Sequence, residues 1–300
     1  MAAPAHARWA ALALAAGCAA PALAAASYTV LAAGDIARCA HPDPKWSGAA
    51  ATATLVEREL AGNPNAAVLL LGDNTYPVGT LEEFTGCYGP TWGRFKERPL
   101  PAPGNHEYYT AGARGYFDYF GKAAAGGYYR VQLGSWQVYS LDSNLAPGPA
   151  AVQLAWLKAE LAANPSHCTL AYWHHPLYSS GGHGSMPNMR AAWELLQAAG
   201  AYVVLSGHDH NYERFARFAP QNAHGRPDPR GIRQFVVGTG GAFMTPLLWP
   251  LPNSEARDNS RTGVLRLRLG DGAYAWEFLE AVYEGFPNGR APDRGQGKCH

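Results

Sequence analysis

Hydrophobic positions along this chain fall into short compact runs separated by stretches with helical spacing. Tyr28–Ala33, Ala66–Leu71, Trp136–Leu141, Thr169–Trp173 and Tyr202–Leu205 are runs rich in Val, Leu, Tyr and Ala, of the length expected of buried strands. Between them, Ala49–Leu60, Val152–Leu161 and Ala191–Ala198 repeat their apolar residues with helical periodicity, which predicts amphipathic helices. This alternation predicts an α/β fold. Nearer the end, Gln234–Val237, Val264–Leu269 and Ala273–Phe278 alternate apolar with polar residues and have no helical pattern between them. That is the habit of antiparallel strands, so the sheet structure is expected to be mixed. No repeat, charge block or linker breaks the pattern, and residues 27–300 read as one domain. Ala219–Gly231 and Thr245–Arg261 read as long loops, a length common at functional rims.

Residues 1–26 do not share this pattern. A weakly basic start (His6, Arg8), the apolar run Trp9–Ala16 and small residues around Ala22-Leu23-Ala24 predict a signal peptide that is cleaved on export to the periplasm or the medium. The apolar run is far shorter than the roughly 20 residues that cross a bilayer, so no transmembrane segment is expected. Leu14-Ala15-Ala16-Gly17-Cys18 loosely resembles a bacterial lipoprotein box, which leaves open a lipid anchor on Cys18. Export bears on the cysteines that remain, Cys39, Cys87, Cys168 and Cys299. Their spacing matches no zinc-binding pattern, and four cysteines in an oxidising compartment suggest two disulfides. Of the three pairings, Cys39 with Cys87 and Cys168 with Cys299 is the one we favour.

Composition narrows the function classes. With 24 Lys+Arg against 23 Asp+Glu, the net charge of +1 excludes a basic nucleic-acid grip and an acidic tail. A chain with 47% hydrophobic and 16% charged residues can bury a large core, so function is sought on the loops at its edge.

Polar residues cluster directly after the apolar runs. Gly34-Asp35 follows the first; Gly72-Asp73-Asn74-Thr75-Tyr76 follows the next; His174-His175 follows Trp173; and Gly207-His208-Asp209-His210 follows Leu205. Gly104-Asn105-His106-Glu107 lies between them, approached by the extended, proline-rich segment Pro99–Pro103. Strand C-terminal ends are where open α/β sheets bind ligands. Each cluster alone could be a turn or a helix cap. Together they bring carboxylate, amide, imidazole and phenol to one sheet edge, the mixture a pair of metal ions requires.

On these five blocks, from Gly34 to His210, the chain resembles the calcineurin-like metallophosphoesterases, most closely their purple acid phosphatase branch. The resemblance implies an αββα sandwich with mixed sheets and a dinuclear metal site at the strand C-terminal ends. It implies that Asp35 binds one metal, that Asp73 bridges both, that Asn105, His174 and His208 hold the second, and that His210 holds the first. Many family members carry a ligand histidine where this chain has Ala37. Tyr76 stands where the purple acid phosphatases place a phenolate ligand and supplies the replacement.

A phenol whose ordinary pKa is near 10 ionises at working pH only beside a strongly acidic cation, which favours Fe(III) at the Tyr76 site. A divalent ion (Fe, Zn or Mn) is expected at the Asn105 site. His174 and His175 are adjacent at a strand end, so they should face opposite sides and only one can serve the metals. The resemblance favours His174, because a substrate-facing histidine follows nine positions later in that branch and His183 has this spacing.

The activity implied is hydrolysis of phosphate monoesters by a hydroxide held on the metals. His183 and His106 are the catalytic candidates: one protonates the leaving oxygen, the other contacts phosphate, and Glu107 orients His106. The substrate is then a small-molecule phosphate ester. A phosphodiesterase acting on nucleotides or lipids would share every ligand, and a non-catalytic metal- or phosphate-binding protein would retain the site without turnover.

Overall fold

A computed structural model describes residues 27–40, 47–63, 65–220, 226–281 and 293–299. The expected leader at 1–26, with its expected cleavage site and Cys18, lies outside the described residues, as does part of the 219–231 segment. Among the described residues no helix is long and apolar enough to cross a membrane.

Two mixed sheets pack face to face. The first runs, edge to edge, Arg294–Lys298, Ala273–Glu280, Gly263–Gly270, Tyr28–Ala33, Ala67–Leu71 and Pro99–Ala102. Its last three strands are parallel and the others antiparallel. The second runs Ser254–Asp258, Tyr212–Phe215, Arg233–Val237, Val203–Ser206, Cys168–Tyr172, Trp136–Ser140 and Tyr129–Leu133.

Strand alternation divides the second sheet between two cores. Leu170, Tyr172, Val203, Leu205, Phe235 and Val237 point toward the first sheet, among Val30, Leu69, Leu265 and Leu267. Ala171, Val204 and Val236 point the other way, onto Leu157 of helix Pro147–Ala163 and Trp193 and Leu196 of helix Arg190–Ala198. Helix Gly48–Gly62, opened by Ser47 accepting the Ala50 N–H at 3.3 Å, packs Ala49, Ala53 and Val56 into the first core. That helix lies on the outer face of the first sheet, where Leu31, Val68 and Leu70 point and Arg266 bonds Glu59, so both faces of both sheets are covered, each fully buried side chain of this kind contributing about 1.5–3 kcal/mol. The result is the expected αββα sandwich. The disulfides pair Cys39 with Cys87 and Cys168 with Cys299; the second ties the strand after Asp293 to the opposite sheet.

Two expectations need correction. Arg233–Val237 is parallel to Val203–Ser206, although it is antiparallel to Tyr212–Phe215. The chain crosses back through Tyr212–Phe215 and a small ribbon instead of a helix, so absence of a helix did not mean an antiparallel neighbour. Thr245–Arg261 is not all loop, because Ser254–Asp258 is an edge strand on Tyr212–Phe215; its charged, half-exposed sequence hides the pattern. Pro99–Ala102 is extended as expected and forms a strand at the sheet edge, where proline's missing N–H is tolerated.

Candidate metal centre

The candidate ligands sit at the ends of parallel strands from both sheets. Asp35 lies two residues beyond Tyr28–Ala33, Asp73 two beyond Ala67–Leu71, His174 two beyond Cys168–Tyr172 and His208 two beyond Val203–Ser206. To turn the side chains inward, the backbone takes left-handed φ at Asp35 (60°), Asp73 (50°) and His208 (73°). Such values are costly for residues with a Cβ and concentrate at functional sites. Gly72, at φ 85°, lets His174 approach: a Cβ there would lie 2.7 Å from Nδ1 of His174. A Cβ on Gly104 would lie 2.1 Å from Oδ1 of Asp73, so only glycine fits.

Each carboxylate has one oxygen pinned by backbone and one pointing inward. Oδ2 of Asp35 accepts the His208 N–H at 2.9 Å, and Oδ1 of Asp73 accepts the His106 N–H at 2.9 Å. The inward oxygens define two adjacent clusters. In the first, Tyr76 Oη lies 2.8 Å from Asp35 Oδ1, 3.2 Å from Asp73 Oδ2 and 3.1 Å from His210 Nε2. In the second, His174 Nε2 lies 3.0 Å from Asn105 Oδ1, 3.2 Å from His208 Nδ1 and 3.3 Å from Asp73 Oδ2. Asp73 Oδ2 belongs to both. The outer nitrogens are fixed too: Nδ1 of His174 faces the Leu71 carbonyl at 2.9 Å and Nδ1 of His210 the Phe243 carbonyl at 2.5 Å. Donation to those carbonyls commits the Nδ1 protons and turns both Nε2 atoms inward, where a charged ring carries a proton and a neutral ring a lone pair.

The donor chemistry suits cations. In each cluster a single inward proton, on Tyr76 or on His174, faces three acceptors and can satisfy only one. Asp35, Asp73, His174 and His210 are all buried, so water does not make up the deficit. A cation in each cluster would. The donor atoms of Asp35, Asp73 and His174 lie within 4.8 Å of one another, as do those of His174, His175 and His208.

Charge within the protein is strongly coupled. Burial opposes a charge on His174, yet the neighbouring Asp73 outweighs it and lifts the imidazole to about 9. Burial likewise opposes ionisation of Asp73, but His174 and His106 hold its carboxyl below the ordinary range. Burial and the charged His174 together push His208 down, while burial and then Asp35 and Asp73 push the Tyr76 phenol well above its usual value. Within the protein alone Tyr76 stays a neutral phenol.

His106 and His183 flank the clusters. His106 packs its ring 4.3 Å from that of Tyr76, tilted by 57°, and directs Nδ1 to the Pro77 carbonyl at 2.6 Å. His183 is exposed, with its ring 4.7 Å from that of His208 and 6.1 Å from that of His210.

Two expectations about neighbours change. Glu107 does not orient the His106 ring: it is buried and accepts the backbone N–H groups of Gly104, Asp73, Asn74 and Thr75, pinning the loop that carries Asp73. His174 and His175 do not face opposite sides, because the strand ends at Tyr172 and both histidines lie in a bend with ring centroids 4.9 Å apart. His175 bonds Ser143 Oγ at 2.8 Å, and burial with the nearby His174 charge lowers it to about 3.

Sequence reading gave no role to four contributors. Asp209 is fully buried and accepts the Ser179 hydroxyl at 2.5 Å and the N–H groups of His183 and Gly184 at 2.9 and 3.2 Å, so it holds the loop bearing His183. Glu213 holds the same loop through Ser180. Arg38 and Phe243 stack at the rim, with the guanidinium 4.9 Å from the ring centroid. A buried acid beside a motif is visible in sequence only as one more polar residue; its partners come from another strand end.

Comparison with known proteins follows the same lines. Residues 28–212 match the family model described as calcineurin-like phosphoesterase. Purple acid phosphatase 22 of Arabidopsis thaliana is 35% identical over 162 residues, covering 50% of this chain and 34% of that protein. Tartrate-resistant acid phosphatase type 5 of Rattus norvegicus is 30% identical over 146 residues, covering 45% of this chain and 40% of that protein. The solved structure of a purple acid phosphatase from yellow lupin (Lupinus luteus) seeds superposes with a TM-score of 0.69 at 18% identity, covering 90% of this chain and 53% of that one. That likeness is one of fold, and the chain spans well under two thirds of the length of each of these relatives.

Proposed function

Since this chain belongs to the calcineurin-like phosphoesterase family, we propose that it hydrolyses small-molecule phosphate monoesters at a dinuclear centre. Asp35, Asp73, Tyr76 and His210 would hold Fe(III), and Asp73, Asn105, His174 and His208 a divalent ion such as Fe, Zn or Mn. The two clusters that share Asp73 Oδ2, each with one proton against three acceptors, carry this reading. When bound, the cations would supply Lewis acidity toward phosphoryl oxygen and lower the pKa of water.

The chain's own groups divide the remaining work. His106, its Nδ1 committed to Pro77, keeps Nε2 for the phosphate. His183 stands exposed beside His208 and His210, where an imidazole can donate a proton to the departing oxygen. Glu107 and Asp209 fix the loops that carry these groups. We also propose that residues 1–26 are removed on export, leaving 27–300 as the catalytic domain in the periplasm or the medium. The two disulfides support an oxidising compartment.

Metal analysis of the purified protein, with hydrolysis of a monoester and a diester measured side by side, tests the proposal. Asp73→Ala should lose both metals and all turnover, and normal turnover in that variant would refute the shared-ligand assignment. Native protein should show a visible phenolate-to-iron band that is absent in Tyr76→Phe. A colourless, fully active protein holding only divalent ions would overturn the iron assignment and leave the monoesterase reading intact.

A further inference from the structure

A cavity of about 470 Å³ opens beside the first cluster, lined in part by Arg38, Ser47, Phe243, Met244, Ser260 and Thr262. Two contacts fix it to the centre. Arg38 pairs in register with Tyr76 across the short parallel ladder Ala37–Arg38 and Thr75–Tyr76. Phe243 packs its ring 4.7 Å from that of His210 and gives its carbonyl to the same imidazole. The cavity therefore lies one ring's width from residues of the Asp35 cluster.

Its chemistry is distinct from that of the clusters. Phe243 remains 53% exposed, so part of its ring is open to the cavity. Arg38 is exposed and stacked on that ring, and among the described residues it has no carboxylate partner. No described lining residue is acidic. The cavity thus offers an aromatic wall, a flexible Met244 and a cation whose planar fork suits a carboxylate or phosphate. Stacking on Phe243 limits the guanidinium's freedom, which lowers the entropy lost when it takes an anion.

We propose that Arg38 and Phe243 form a leaving-group subsite selecting phosphate esters of planar aromatic alcohols that carry a second anionic group. The inference rests on the monoesterase reading. The phosphoryl group occupies the ligand clusters, the aromatic ring lies against Phe243 and Met244, and the second anion pairs with Arg38.

The test compares benzylphosphonate with 4-carboxybenzylphosphonate, neither of which is hydrolysed, by titration calorimetry on the metal-loaded protein, with hydrolysis of phenyl phosphate measured in parallel. The carboxylated ligand should bind about fivefold more tightly, as expected of one charge-assisted pair at an exposed site. That advantage should fall to near unity in Arg38→Gln and in high salt, where exposed pairs are screened. Equal affinity for both phosphonates in the native protein, or an advantage unchanged in Arg38→Gln, overturns this inference even when phenyl phosphate is hydrolysed normally. No binding of either phosphonate together with no hydrolysis overturns the monoesterase reading itself.

Discussion

Glu107→Gln is the sharpest test of how the centre is held together. Oε2 accepts the N–H groups of Gly104 at 2.6 Å and Asp73 at 2.9 Å, and Oε1 those of Asn74 at 2.8 Å and Thr75 at 3.4 Å. Glutamine keeps the shape but replaces one acceptor oxygen with an NH₂ group that meets backbone donors. The side chain will turn its amide nitrogen toward Asn74 and Thr75, where one of the two bonds is already long. The cost is then one good buried donor left without an acceptor, about 1–3 kcal/mol, plus the weakening of the bonds to Gly104 and Asp73 once the acceptor is neutral. A total of about 2–4 kcal/mol follows, or roughly 3–7 °C in Tm for a chain of this size. Thermal melting and metal content of native and variant protein provide the measurement, and bound metal should fall because the Asp73 loop is no longer fixed. A variant with native Tm and full metal content would show that Glu107 is not the pin, and the account of the loop would fail.

Two further outcomes are expected. Asp209→Asn places an amide against the N–H groups of His183 and Gly184; with His183 less well positioned, kcat should fall about tenfold with little change in metal content, and the alkaline limb of the pH profile should change. Unchanged kcat and pH profile would remove Asp209 as a positioning residue. Asp293 accepts from Tyr212 Oη at 2.6 Å, Arg214 at 2.8 and 3.0 Å and Trp276 Nε1 at 3.1 Å. Burial alone would raise its pKa, but the Arg214 and Tyr212 bonds outweigh burial and hold it below the ordinary value. Its stabilisation is therefore complete above the unfolded-state pKa near 4 and is lost as pH falls through the lower folded value. Asp293→Asn should lower stability by about 1–2 kcal/mol at pH 7, with the gap to native protein closing in acid; a gap independent of pH would contradict this.

Much of the arrangement was legible in the sequence because it depends on local order. Apolar runs ending in Gly-Asp or Trp-His mark strands and the turns after them, and Asp35, Asp73, Asn105, His174 and His208 all lie where that punctuation put them. What stayed hidden depends on partners distant in the chain. Ser254–Asp258 became a strand only because Tyr212–Phe215 offered an open edge. His175 turned beside His174 because the strand stopped one residue before Trp173. Glu107 and Asp209 look like ordinary loop acids until the strand ends they brace are brought together in space, and Arg38 gains meaning only from a ring some two hundred residues downstream.

Left-handed backbone at Asp35, Asp73 and His208 means that the pocket's form is cast in the main chain, as in a mould, and does not depend on its contents to take shape. Such a mould would take up cations with little rearrangement. It also sets the molecule against its own tolerance of change: at these positions the backbone favours glycine while the chemistry forbids it, so a lineage freed from selection for the reaction would drift there first.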